Sequence, residues 1–315
     1  MSCDYILLKF ISCEQYVKDF LDGSLYMNSL YYFWNEYPLE MAMKKKEKVL
    51  IDHPEYNPED VLIPMEGDAP LGQMDLLEGT ISTVNGASMN FENSFSDCLM
   101  ADMFIRAVGY KYCNILSFYR LDLNISSIAN HCAIQYSLAD AMNKFGENVA
   151  IIKNTPEFLK RINNAVTKTN YKYLCGNVQY KSLTKNGHVV KPGPNITLKR
   201  EDEIDIDSEP FKSALASKRN CFVKVDQYKY QNEWRLALYR GIPSKKAFRL
   251  EVGDIRDIVH VVNISEIEKT LDADLKNGII KPNSSSFYGN IARKDMKNLF
   301  YQLGNNKGEL IGILG

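Results

Sequence analysis

The chain has 315 residues, 45% of them hydrophobic and 24% charged, enough apolar material for a buried core and inconsistent with a disordered or fibrous chain. Its 38 Lys and Arg nearly cancel its 39 Asp and Glu, so no net field draws it to nucleic acid or to an acidic membrane surface. The seven cysteines are scattered, odd in number and without a CxxC pair, which suits reduced, buried thiols and excludes both a disulfide framework and a zinc-ligand spacing.

The N-terminal MSCDYILLKFISCEQ has no basic segment, only a short apolar run and no small-residue cleavage site, so it does not read as a signal peptide. No stretch reaches the ~20 apolar residues of a membrane span. A cytoplasmic protein without membrane contact is expected.

YILLKF (5–10) reads as a strand. In the following SCEQYVKDFLDG, Ser12 and Gln15 suggest a capping box, Tyr16, Val17, Phe20 and Leu21 an apolar helical stripe, and Gly23 a left-handed C-terminal residue. SLYMNSLYYFW (24–34) returns as an aromatic-rich strand. Periodicity is lost over 35–79, where a basic run at 44–48 and several prolines read as a long loop or flap. A helix over 96–108 and a strong central strand, CNILSFYRL (113–121), follow.

VAIIK (149–153) is a continuous apolar strand. TPEFLKRINNAV then shows Thr155 as N-cap, Pro156 at the first helical position and an apolar stripe through Phe158, Leu159, Ile162 and Val166. NVQYKSL (177–183) reads as a strand, 184–208 as a second surface loop, and 211–217 as a short helix. Four strands close the chain: CFVKV, NEWRLALY, AFRLEV and IVHVVN. GIPSKK suggests a hairpin between the second and third. Ser265 with Glu268 suggests a capping box, and a terminal helix carries Met296, Leu299, Phe300 and Leu303. The sum is one α+β domain over 1–315, with mixed, largely antiparallel sheets, inserted helices and long loops at about 35–79 and 184–208 able to cover a cleft.

In NEWRLALY, Trp234, Leu236 and Leu238 share one strand face, and Glu233, Arg235, Ala237 and Tyr239 share the other. The first face is core. The second is open to two readings: a cleft wall where Glu233 stabilises positive charge on a sugar carbon or accepts a proton, or a surface or structural pairing of Glu233 with Arg235. Because Glu233 falls off the core face, Glu233→Ala is expected to remove activity and leave the fold intact.

Lys9 interrupts YILLKF, where it serves either as a binder of phosphate or carboxylate or as an exposed strand end. Tyr26, Asn28 and Tyr32 share a face able to stack and hydrogen-bond, with Ser29 beside them. Asp75 and Glu78, in QMDLLEGT, make an acidic turn open to ligand contact. No metal site is expected, although magnesium on one or two carboxylates with substrate phosphates stays open.

YILLKF, FLDGSLYMNSLYYF, DLLEG, FGENVAIIKNTPEFLKRI and YKYQNEWRLAL together resemble a group of uncharacterised bacterial proteins with an xxEWR segment near the C-terminus. The likeness spans residues 5 to about 263 and implies architecture without an assigned activity. A looser likeness is to ADP-ribosyltransferases, which open with a strand, a helix ending in glycine and a strand bearing Tyr or Ser, and carry a catalytic Glu on a late strand. That resemblance places Lys9 at the first position, Tyr26 or Ser29 at the second and Glu233 at the third. It implies an ADP-ribosyltransferase-like fold with NAD, as substrate, in a cleft between two small sheets. Glu233, flanked by Arg235, would hold the nicotinamide-ribose hydroxyl and stabilise the oxocarbenium-like state, and Tyr26 would stack on nicotinamide. At the first position the family usually carries His or Arg.

The implied function is an NAD-consuming ADP-ribosyltransferase or NAD glycohydrolase, of toxin or anti-phage effector type, with a protein, a nucleic acid or NAD itself as acceptor. Two other classes stay open. One is a non-enzymatic sensing or protein-interaction module. The other is a metal-dependent nuclease, which needs Asp75, Glu78 and Glu233 to converge and would use the basic run at 44–48 for nucleic acid.

Overall fold

A computed structural model describes residues 4–33, 37–52, 54, 80–84, 103–107, 112–123, 142, 145–169, 171–181, 184–185, 188–189, 220–242, 244–283, 287–289 and 308–312. The fold is mixed α+β, and its strand pairing is antiparallel throughout the main sheet.

β1 (Asp4–Ile11), α1 (Glu14–Leu21) and β2 (Ser24–Ser29) open the chain, followed by α2 (Tyr37–Asp52). β3 (Thr80–Val84), β4 (Met103–Ala107), β5 (Asn114–Leu123), β6 (Asn148–Ile152), α3 (Thr155–Lys168), β7 (Lys172–Asn177) and β8 (Gln179–Lys181) come next. β9 (Thr184–Lys185), β10 (His188–Val189), β11 (Val223–Val225), β12 (Glu233–Tyr239), β13 (Phe248–Glu251), β14 (Val259–Asn263), α4 (Ile267–Lys276), β15 (Phe287–Gly289) and β16 (Gly308–Gly312) complete it. The main sheet runs β14-β6-β1-β5-β12-β7-β15, with β2 joining β5 to β13. β3, β4 and β16 form a second antiparallel sheet, β9 and β10 a small hairpin, and β8 and β11 a parallel pair.

The central strands β1, β5, β6, β7 and β12 are buried on both faces, so they read as apolar runs instead of an alternation of apolar and polar residues. Tyr5, Leu7, Leu116, Phe118, Trp234 and Leu236 face a layer built by Phe20 of α1 and by Phe158, Leu159, Ile162 and Val166 of α3. Phe118 is its hub, with T-shaped contacts to Phe158 at 5.6 Å and Trp234 at 5.8 Å. Ile6, Leu8, Phe10, Tyr119 and Leu121 face the other way, against Ile267 and Leu271 of α4. Each fully buried apolar side chain of this size stabilises the fold by about 1.5–3 kcal/mol.

Several local expectations change. The segment 37–52 is helix α2, not part of a loop. Within 96–108 the described residues form strand β4, not a helix, because β3 and β16 pair with its two edges. GIPSKK does not close a hairpin: β12 pairs with β5 and β7, and β13 pairs with β2. Cys13 takes the N-cap position of α1 without a side-chain bond, and Gln15 instead donates to Asp19 at 2.7 Å. Asn154, not Thr155, caps α3 through Glu157 N–H. Asn263, which precedes the 3-10 turn leading into α4, accepts from Ser265 N–H in place of the expected Ser265–Glu268 box. Gly23 does adopt φ +83, and a Cβ there would lie 1.8 Å from the Gly253 carbonyl oxygen. The segment expected as a helix over 211–217 and the terminal helix around Met296 lie outside the described residues. Among the described residues no helix is long and apolar enough to cross a membrane.

Candidate functional site at a fork in the sheet

One edge of β5 serves two partners. β1 pairs with its far half, from Asp4↔Leu123 to Leu8↔Tyr119, and β2 with its near end, Asn28↔Ile115 and Ser29↔Asn114. Between them, at residues 116–118, the two partner strands part and the sheet forks. A fork leaves backbone polar groups without ladder partners, and buried groups of that kind must be satisfied otherwise. Lys9 does this for one of them: its ammonium donates to the Ser117 carbonyl at 2.9 Å.

A cavity of about 270 Å³ opens at this fork, lined by Lys9, Tyr26, Asn28, Ser117, Tyr119, Lys224, Gln231, Glu233 and Arg235 among others. Its volume is slightly under the roughly 300–1,000 Å³ typical of small-molecule pockets. β12 brings Glu233 and Arg235 to it. All seven β12 residues are buried, so the face carrying Glu233 is not solvent, and the expectation that Glu233→Ala spares the fold loses its premise. The backbone that aims Glu233 is built by Asn232, left-handed at φ 33, whose side chain donates to Arg120 carbonyl at 2.6 Å. Glu233 N–H in turn donates to the Tyr180 hydroxyl at 2.8 Å.

The Glu233 carboxylate is surrounded by donors. Ser117 Oγ and Arg235 Nε each donate to Oε1 at 2.5 Å, while Lys224 Nζ lies 2.7 Å and Arg235 Nη2 3.3 Å from Oε2. Lys224 also donates to Gln231 at 2.8 Å, and Arg235 Nη1 to the Cys221 carbonyl at 2.6 Å. Burial alone would raise the Glu233 pKa, but Arg235 and then Lys224 override it and hold the carboxyl well below the usual range. A carboxylate held ionised in this way is a poor proton acceptor near neutral pH. It retains the ability to accept a hydroxyl hydrogen bond and to act through its charge.

Lys9 lies on the same pocket. Desolvation pulls its pKa down to about 8 against the opposing attraction of Glu233. Among the described residues it makes one hydrogen bond and no ion pair, and its ammonium lies 5.8 Å from the Phe118 ring centre. Tyr26 stands at the mouth, 50% exposed, with its hydroxyl donating to Asn28 Oδ1 at 3.0 Å.

Lys9, Tyr26, Glu233 and Arg235 therefore line one cavity. Ser29 does not: it is fully buried, its hydroxyl donates to the Lys245 carbonyl, and it accepts from Tyr32 N–H at 3.2 Å. Asp75 and Glu78 lie outside the described residues, and the basic run 44–48 falls on α2. Among the described residues no group of His, Cys, Asp and Glu is placed to hold a metal. Sequence reasoning passed over Ser117 and Lys224. The signal was a polar residue flanked on both sides by apolar ones in each of two strands, Ser117 in NILSFYRL and Lys224 in CFVKV. No family model, curated protein or solved structure matches this chain.

Proposed function

We propose that the fork pocket is an active site that consumes NAD, in the manner of an ADP-ribosyltransferase or NAD glycohydrolase, with Glu233 as the residue facing the ribose. The observation that carries this reading is convergence: a cation from β1, an aromatic ring from β2 and a carboxylate from β12 line a single cavity where the sheet forks. In this reading Tyr26 offers its half-exposed ring to a planar base. Glu233, kept ionised, acts by charge and by accepting a ribose hydroxyl bond, which displaces Ser117 Oγ or Lys224 Nζ from its oxygens.

Nicotinamide release from NAD by the full chain and by Glu233→Gln tests this. Glu233→Gln keeps the size and two hydrogen-bonding positions of the side chain and removes its charge. Turnover by the wild type that falls at least a hundredfold in Glu233→Gln, with the circular dichroism spectrum retained, supports the assignment. Equal turnover in both proteins sinks it.

A second reading has its own support. Glu233 already has Ser117, Arg235 and Lys224 on its two oxygens, as a structural ion-pair cluster would. In that case the protein is a sensing or interaction module, no NAD is consumed, and Glu233→Gln alters only stability or partner capture.

A further inference from the structure

Lys9 differs from the other cations of the fork pocket. Lys224 is engaged by Glu233 and Gln231, and Arg235 by Glu233 and the Cys221 carbonyl; a guanidinium, moreover, keeps its charge in any protein setting. Lys9 is partly buried on β1 and lines the cavity, and among the described residues it has one hydrogen bond, to the Ser117 carbonyl at 2.9 Å, and no ion pair. Desolvation, outweighing the attraction of Glu233, brings its pKa to about 8. Roughly one molecule in five then carries a neutral amine at pH 7.4, against about one in a thousand for an ordinary lysine. The neutral amine keeps an N–H for the Ser117 carbonyl and gains a lone pair, which makes it a nucleophile.

Ser117 joins that amine to the carboxylate. Its carbonyl accepts from Lys9 and its hydroxyl donates to Glu233, so the two groups lie at opposite ends of one residue of β5. A ribose seated on Glu233 is therefore within reach of the Lys9 side chain, whose four-carbon stem is flexible. The pyridinium charge of an NAD bound in this way further disfavours the protonated form of Lys9.

We infer that Lys9 is the nucleophile of the fork pocket, attacking the ribose carbon that bears nicotinamide while Glu233 stabilises the positive charge that develops there. The inference rests on the reading that NAD is the substrate, and it selects water over a protein or a nucleic acid as the final acceptor. The lone pair of Lys9 Nζ forms a bond to C1 of the ribose as the bond from C1 to the nicotinamide nitrogen breaks, and that electron pair leaves with neutral nicotinamide. Nζ then gives a proton to solvent, since the ionised Glu233 is a poor acceptor, and the resulting glycosylamine opens to an imine between Nζ and C1. Water adds to the imine and releases ADP-ribose, with Lys9 restored as an amine. The sum is NAD and water converted to ADP-ribose, nicotinamide and a proton.

The test is borohydride trapping. The full chain is incubated briefly with NAD, quenched with sodium borohydride, which reduces an imine to a stable secondary amine, and mapped by mass spectrometry, while nicotinamide release is followed in parallel. An adduct on Lys9 is expected, with the mass of ADP-ribose less one water plus two hydrogens. ADP-ribose in place of NAD measures chemical glycation of lysines, and labelling of Lys9 equal to that with NAD overturns the inference. Lys9→Arg keeps a cation and a donor for the Ser117 carbonyl but supplies no nucleophile, so it should lose the adduct and lower nicotinamide release roughly a hundredfold or more. A Lys9 that only props the fork or supplies charge would leave Lys9→Arg active, and turnover near the wild-type rate in that variant overturns the inference. Trapping needs only the unaltered chain, so it decides the matter even if Lys9→Arg fails to fold. Turnover by the wild type without an adduct on Lys9 refutes the nucleophile and leaves the NAD reading standing, whereas no turnover refutes both.

Discussion

Removing Glu233 puts the chemistry of the fork to its most direct test. In Glu233→Ala, Arg235 and Lys224 stay buried, at 2% and 6% side-chain exposure, after losing the only carboxylate of the described pocket wall. Breaking a buried pair by deleting one partner costs about 3–5 kcal/mol, because the remaining charge is desolvated and uncompensated. At roughly 2 °C per kcal/mol, the low end for larger domains, the melting temperature should fall by roughly 6–10 °C. The triple variant Glu233→Leu, Arg235→Met, Lys224→Met should recover much of that loss, since apolar groups of similar volume replace a buried cluster at little cost. Urea unfolding at pH 7 measures both. A loss below about 1 kcal/mol in Glu233→Ala, the range of exposed pairs, would refute the argument that the cluster is dry.

The same cluster has a pH signature. Glu233 is held well below its usual range when folded and titrates near 4.3 when unfolded. Its stabilisation is therefore complete above the unfolded value and is lost as pH falls toward the folded one. Wild type should lose stability on acidification below about pH 5 more steeply than Glu233→Gln, as read from melting temperatures across that window. Lys9 runs the other way. Between about pH 8, its folded value, and roughly 10.4, its unfolded value, the unfolded chain holds a proton that the folded chain has released. Stability from Lys9 should rise with pH across that window and the rise should vanish in Lys9→Met, as the difference between their urea midpoints from pH 7.5 to 10.5 will show. At Gly23, a Cβ would lie 1.8 Å from the Gly253 carbonyl oxygen at a φ of +83, so Gly23→Ala should destabilise by more than about 1 kcal/mol in thermal unfolding.

Much of the architecture is legible in the amino-acid order because local physics decides it. The stripe of Phe158, Leu159, Ile162 and Val166 can bury itself only as a helix, and it does. NILSFYRL is too uniformly apolar for a wet edge and becomes the centre of the sheet. Gly23 ends α1 because only glycine tolerates that φ at so close a backbone approach. The opposed faces of β12 follow from its period of two, so Glu233 and Arg235 stand together away from Trp234.

What the sequence alone does not contain is which strands meet. β4 could not be told from a helix, because a short, mostly apolar run suits either until β3 and β16 supply partners. GIPSKK looked like a hairpin because turn chemistry is local, whereas β13 found its partner in β2, more than two hundred residues earlier. The burial of Glu233 is decided the same way: one face of β12 is wet or dry according to what covers it, and here β8, β11 and the turn before β12 bring Tyr180, Lys224 and Gln231 over it. The fork is wholly tertiary. It exists because β1 and β2 claim different lengths of one edge of β5, and that division brings Lys9 together with Ser117 and Glu233 around a single cavity.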